Sequence, residues 1–66
     1  MNNTSAAKKA DKLLKLVEKR FRKESAYVLT KNDKDGIWFE MFGRLSRGES
    51  EDDVYTYCKT AKLKQP

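Results

Sequence analysis

Residues 37–45 read IWFEMFGRL, and this stretch decides between two possible folds for the chain. In an α-helix its apolar side chains form one continuous stripe, made of Ile37, Trp38, Met41, Phe42 and Leu45. In a strand, both faces would be almost wholly apolar, and a chain of 66 residues has little other material to cover them. The pattern therefore favours a helix, which we predict over residues 36–47 with Asp35 as its N-cap.

The residues before this stretch keep a second fold open. Residues 26–30 read AYVLT, a β-branched and aromatic run whose local preference is extended. Residues 31–36, KNDKDG, then resemble a turn or a loop. The alternative to the helix is therefore a central hairpin at about 26–43, which would give an α+β fold with the element order α-β-β-α.

A long two-faced helix is predicted before this region, over residues 5–25. One arc of the helix is apolar and consists of Ala6, Ala10, Leu13, Leu14, Val17 and Phe21. The opposite arc carries all eight basic side chains of the segment, namely Lys8, Lys9, Lys12, Lys15, Lys19, Arg20, Arg22 and Lys23. We expect Asp11 and Glu18 to pair along the helix with Lys15 and Arg22, four residues further on.

A third helix is predicted over residues 50–63. Gly48 is typical of the residue that ends a helix, and Ser50 followed by Asp53 is close to a capping box. The sequence thus predicts an all-α, compact three-helix domain spanning residues 1–66, frayed at residues 1–4 and 64–66. Its predicted core is Leu13, Leu14, Val17, Phe21, Trp38, Met41, Phe42, Leu45, Val54 and Tyr57.

The net charge of +5 resides on the first helix. Residues 1–25 hold eight bases and three acids, whereas residues 26–66 hold seven of each. A one-sided positive field favours polyanionic partners such as nucleic acid. Lysine outnumbers arginine on this face, which indicates contact with the phosphate backbone rather than with bases. The predicted contact residues are Lys8, Lys12, Lys15, Lys19, Arg22 and Lys23.

Exposed aromatic residues suggest a different class of function. Phe39 falls off the apolar stripe of the second helix, and Tyr55 falls off that of the third. Aromatic side chains dominate protein interfaces, and a chain this short gains stability from a partner. The alternative function is therefore a protein-interaction module: an inhibitor, an adaptor or a homodimeric subunit.

Several other functions are not expected. The chain has one cysteine and no histidine, so we predict no metal site, no cofactor and no small-molecule ligand. Without paired carboxylates in a pocket or a phosphate-binding glycine loop, we predict that the protein is not an enzyme. No apolar run reaches the length of a membrane span, and no export signal precedes the first helix, so we expect no membrane partner and a cytoplasmic location. The leading prediction is a small regulatory, DNA-binding or otherwise nucleic-acid-binding protein.

Overall fold

The computed structural model describes residues 3–60, which form three α-helices joined by two short connections. α1 is Asn3–Ser25, α2 is Lys31–Ser46 and α3 is Glu51–Thr60. The all-α, three-helix prediction is confirmed, and the hairpin alternative is wrong, since residues 3–60 contain no strand. The last three residues of the predicted third helix, 61–63, lie outside the described part of the chain.

The helices pack side by side, each in contact with the other two. Two contacts show that α2 runs antiparallel to α1. Lys34, early in α2, lies 3.6 Å from Glu18, whereas Trp38, one turn later, donates a hydrogen bond of 2.8 Å from its indole nitrogen to Asp11. α2 therefore runs towards the N-terminal end of α1 as its own residue numbers rise.

The core lies where the apolar stripes of the three helices meet. Its fully buried members are Ala6, Ala10, Leu13, Val17, Met41, Leu45, Val54 and Cys58. Around them pack the partly buried side chains of Leu14, Phe21, Ile37, Trp38, Phe42 and Tyr55. The alanines of α1 let the neighbouring helices approach closely, and each buried side chain of the size of leucine contributes about 1.5–3 kcal/mol. Burial of these stripes selects the helical fold.

The aromatic residues of α3 correct one part of the predicted core. Tyr57 was expected to be buried, but its side chain is 47% exposed. Tyr55, expected to be exposed, packs against the core instead. The two residues flank the buried pair Val54 and Cys58 on opposite sides of the helix, so helical spacing alone does not distinguish them. The thiol of Cys58 is buried, and this burial raises its pKa.

α2 begins five residues before its predicted start, because Thr30 caps it. The Thr30 hydroxyl accepts a hydrogen bond from the Asp33 N–H at 3.1 Å, and the Asp33 carboxylate accepts one from the Thr30 N–H at 3.1 Å. This reciprocal capping box satisfies two of the N–H groups that a helix start leaves free. The prediction of Asp35 as N-cap is therefore wrong: Asp35 lies within α2.

The connection between α2 and α3 follows its prediction. Gly48 has a left-handed backbone (φ of 99°), and its N–H bonds the Leu45 carbonyl while the Glu49 N–H bonds the Arg44 carbonyl. This pair of bonds is a Schellman motif. Two residues later the Ser50 hydroxyl accepts a hydrogen bond from the Asp53 N–H at 3.1 Å, which caps α3.

Arg44 braces this connection from the side of α2. Its guanidinium donates to Glu40 at 2.7 Å and to Glu49 at 3.3 Å. The same group lies over the ring of Tyr57, 3.7 Å from the ring centroid. These partners, with the Glu40 bond as the largest cause, raise the pKa of Arg44. One side chain thus links α2, the connection and α3.

Candidate nucleic-acid interface

The outer face of α1 presents basic side chains to solvent. Five of them are exposed and form no ion pair with any residue of the described chain. We call this set the cationic face; its members are Lys8, Lys15, Lys19, Arg22 and Lys23. At a rise of about 1.5 Å per residue, the cationic face extends over about 22 Å of helix.

The acids of α1 at the margin of this face point away from it. We expected Asp11 to pair with Lys15 and Glu18 with Arg22, and both expectations are wrong. Asp11 accepts the indole hydrogen bond of Trp38, and Glu18 lies 3.6 Å from the ammonium group of Lys34. Packing of α2 thus gives both carboxylates a partner on α2 in place of the predicted base on α1. Lys15 and Arg22 are left without the counter-charges that their own helix encodes.

Lys12 differs from the other predicted contact residues. Its ammonium group lies 2.8 Å from the carboxylate of Glu51, at the start of α3. This contact is the largest cause of the lowered pKa of Glu51. The Lys12 side chain is still 63% exposed, and exposed ion pairs contribute little, so Lys12 can exchange Glu51 for another anion at small cost. The structure therefore brings five of the six predicted residues together unpaired and the sixth paired.

The remaining bases of α1 lie beside α3. Arg20 pairs with Glu24 on its own helix at 2.8 Å, and Lys9 is half-buried. Arg20 also lines a cleft of about 300 Å³, whose other lining residues are Phe21, Glu24, Ser25 and Lys59. Because an acid lies between the two bases of this cleft, it is a poorer site for an anion than the cationic face.

An exposed leucine that is not among the predicted residues lies at the edge of the cationic face. Leu16 is 47% exposed, one turn from both Lys12 and Lys19. Its position off the apolar stripe of α1 could have been found by the same helical projection that located the bases. A leucine among lysines adds a small apolar contact to a surface that is otherwise suited to phosphate.

The two aromatic residues predicted for a protein interface have different environments. The ring of Phe39 is 69% exposed and rests edge-on against Trp38, with 5.5 Å between the ring centroids. Tyr55 packs against the core, and the ammonium group of Lys59 lies 5.6 Å from its ring centroid. Phe39 is thus available to a partner, whereas Tyr55 offers only part of its surface.

Neither a metal site nor a membrane span is found in the described residues. The acids and the cysteine within residues 3–60 form no group of three that could hold a metal ion. Among the helices of the same part of the chain, none has the length and apolar character needed to cross a bilayer. Comparison with protein-family models, curated proteins and solved structures finds no significant match to this chain. Functional inference therefore rests on the residues themselves.

Proposed function

We propose that this protein is a small cytoplasmic accessory or regulatory protein that binds nucleic acid through its phosphate backbone. The observation that carries the proposal is the cationic face, five exposed bases without an acidic partner among the described residues. A surface that serves only to keep a protein soluble usually mixes both signs of charge. Here the acids nearest to the bases are held by α2 instead.

The form of the face favours backbone contact over base reading. Four of its five members are lysines, which act as point charges, and base recognition favours the bidentate fork of arginine. If each member meets one phosphate, five counterions are released, and the log–log slope of affinity against salt is about −4.5. We therefore expect tight binding at low salt, steep loss of affinity as salt rises and little preference for sequence.

The test compares two double variants of equal net charge. Lys15→Gln with Lys19→Gln removes two members of the cationic face, and Lys31→Gln with Lys59→Gln removes two lysines elsewhere. Fluorescence anisotropy with a labelled DNA duplex and a labelled RNA of equal length gives affinities between about 50 and 200 mM salt. Loss of two phosphate contacts should change the slope of the first variant from about −4.5 to about −2.7, while the second keeps the wild-type slope.

Two outcomes would overturn this proposal. One is the absence of binding to either nucleic acid at the lowest salt concentration. The other is an equal loss of affinity in both double variants, because that result would mean that net charge, not the cationic face, attracts the probe. Far-UV circular dichroism of both variants verifies that α1 is intact, since glutamine has nearly the helix propensity of lysine.

A second candidate function, a protein-interaction module, is favoured by the exposure of Phe39. Large aromatic side chains that stand in solvent commonly anchor protein interfaces. The tyrosine proposed with it, Tyr55, can contribute only the part of its ring that the core leaves open. Replacement of Phe39 by alanine should abolish such an interaction without weakening the binding of nucleic acid, so the two proposals are separable by one variant.

A further inference from the structure

A row of four residues along the outer side of α2 has an unusual order. Asp35, Phe39, Gly43 and Arg47 follow one another at intervals of four, and Arg47, the C-cap of α2, keeps a right-handed helical backbone, so the four lie on one surface ridge. We call them the α2 row. Met41 and Leu45, on the other side of the helix, are buried in the core, and the α2 row therefore faces outward. Its members are in turn an acid, a large exposed ring, a residue without a side chain and a base.

The α2 row is complementary to a second copy of itself that runs in the opposite direction. A twofold axis at the level of Met41 places Asp35 opposite the partner's Arg47 and Phe39 opposite the partner's Gly43. By symmetry the other two pairs form as well, since a twofold interface repeats every contact. Both the charge match and the fit of ring to gap occur in the same register, although nothing in the fold of one copy requires them to coincide.

The inclination of the row also matches a common packing geometry. Rows of residues four apart are inclined by about 26° to the helix axis, so when two such rows lie along each other the axes of the two helices cross at about 50°. This crossing is the commonest class of helix packing in globular proteins. We propose that the protein forms a homodimer in which the α2 rows of two copies pack antiparallel, each Phe39 ring over the partner's Gly43. The inference extends the second candidate function and is independent of nucleic-acid binding.

The single copy leaves these groups free to exchange partners. Among residues 3–60, Asp35 is held only by Lys31, at 3.5 Å, and the two side chains are 58% and 87% exposed. Arg47 forms no ion pair with a described residue, and its guanidinium lies over Gly43, 3.6 Å from where a β-carbon would be. In the dimer this guanidinium moves from Gly43 to the partner's Asp35 and clears the gap for the ring.

The size of the contact indicates a weak dimer. A stable interface buries about 800 Å² on each partner, which is a large share of the 4885 Å² surface of this chain. One helix crossing, built on one ring from each copy, covers less than that. We therefore expect an association that depends on concentration and is complete only at high protein concentration.

Reversal of the two charges tests the register directly. Asp35→Arg places two bases opposite each other in the homodimer, and Arg47→Asp places two acids opposite each other, so each variant alone should be monomeric. A mixture of the two variants restores both ion pairs, because every base then meets an acid. Sedimentation equilibrium should give 7.7 kDa for each variant alone and a mass approaching twice that value for the mixture.

Controls separate the proposed contact from changes in folding. Asp52→Arg makes the same change of charge on α3, outside the row, and should dimerise as the wild type does. Phe39→Ala removes the ring and Gly43→Ala fills the gap, so both should be monomeric, although the second strengthens the helix itself. A monomeric wild type at millimolar concentration overturns the proposal. So does dimerisation of either charge variant alone, whatever the result of the nucleic-acid experiment.

Discussion

The two connections between helices begin with the same backbone conformation but use different residues to adopt it. After α1, Ala26 has a φ of 56°, and after α2, Gly48 has a φ of 99°. Both values lie in the left-handed region, which glycine enters freely. A residue with a β-carbon pays about 1–2 kcal/mol to be there. The first connection is therefore strained and the second is relaxed.

A hydrogen bond within the turn and contacts of the residues that follow it hold the strained connection in place. The Ala26 N–H bonds the Arg22 carbonyl at 3.0 Å, and Leu29, three residues later, is 3% exposed. The Tyr27 hydroxyl donates to Asp33 at 2.7 Å, so the capping box of α2 also anchors the chain before it. The second connection is encoded by its own glycine, whereas the first depends on contacts made by the residues around Ala26.

The largest loss of stability is expected when the glycine of the relaxed connection is replaced by a β-branched residue. Gly48→Val forces such a side chain into the left-handed region, and we expect a loss of about 2 kcal/mol in the free energy of unfolding. Urea unfolding followed by circular dichroism measures it. Gly48→Asn is the matched control, since asparagine tolerates this conformation. If both variants lose the same stability, the left-handed backbone is not the cause.

Removing the N-caps tests the two connections where each one enters the next helix. Thr30→Ala and Ser50→Ala each delete a hydroxyl that accepts a backbone N–H, and each should cost about 1 kcal/mol. In a domain of this size that loss lowers the melting temperature by about 4–8 °C. The exchanges Thr30→Ser and Ser50→Thr keep the hydroxyl and should stay near the wild type. A Thr30→Ala protein as stable as the wild type would contradict the capping box.

A glycine at position 26 should sharpen the comparison by relaxing the strained connection. Ala26→Gly removes the clash of the β-carbon but adds freedom to the unfolded chain, so we expect a net gain of about 0.5 kcal/mol. Thermal melting measures this gain. Gly36→Ala, at an exposed site in α2, should also stabilise the protein and serves as the reference. A loss of stability in Ala26→Gly would show that the alanine is not strained.

The bond between Tyr27 and Asp33 should make the first connection sensitive to pH. Hydrogen bonding, chiefly from Tyr27, lowers the pKa of Asp33 below 3.8, and the same bond raises the pKa of Tyr27 above 10.0. The bonded carboxylate of Asp33 stabilises the fold at pH values above its unfolded pKa, and this stabilisation is lost as the pH falls. The bonded phenol of Tyr27 stabilises the fold at pH values below its unfolded pKa, and this stabilisation is lost as the pH rises. The difference in urea midpoint between wild type and Tyr27→Phe should therefore be constant near neutral pH and shrink at both extremes. A difference that does not change with pH would exclude the bond.

The same contrast explains which parts of the fold the sequence predicted. Gly48 and Ser50 carry local signals, and the predicted boundary there is correct. Thr30 and Asp33 have the same spacing as Ser50 and Asp53, but they follow a β-branched run and precede a glycine, so the start of α2 was placed five residues late. The left-handed backbone at Ala26 has no signal in the sequence, because alanine disfavours this region and the bond formed there, from the Ala26 N–H to the Arg22 carbonyl, joins backbone atoms.

The candidate site, like the fold, was predicted from the sequence only in part. Helical spacing correctly placed five bases of α1 on an exposed face, because a helix face depends only on residue numbers, but Lys9 and Arg20, assigned to the same arc, are half-buried beside α3. It did not reveal that Glu51 meets Lys12 or that Asp11 and Glu18 turn towards α2, since those pairs join distant segments. The binding roles of Lys8, Lys15, Lys19, Arg22 and Lys23 stay predictions.

The single buried thiol allows opening of this domain to be measured by its rate of alkylation. Only a thiolate attacks an alkylating reagent, and Cys58 is 3% exposed with a raised pKa. The sulfur therefore reacts in states in which the part of α3 around Cys58 has left the other two helices. The labelling rate of one atom reports how often this part of the bundle opens, without any engineered probe.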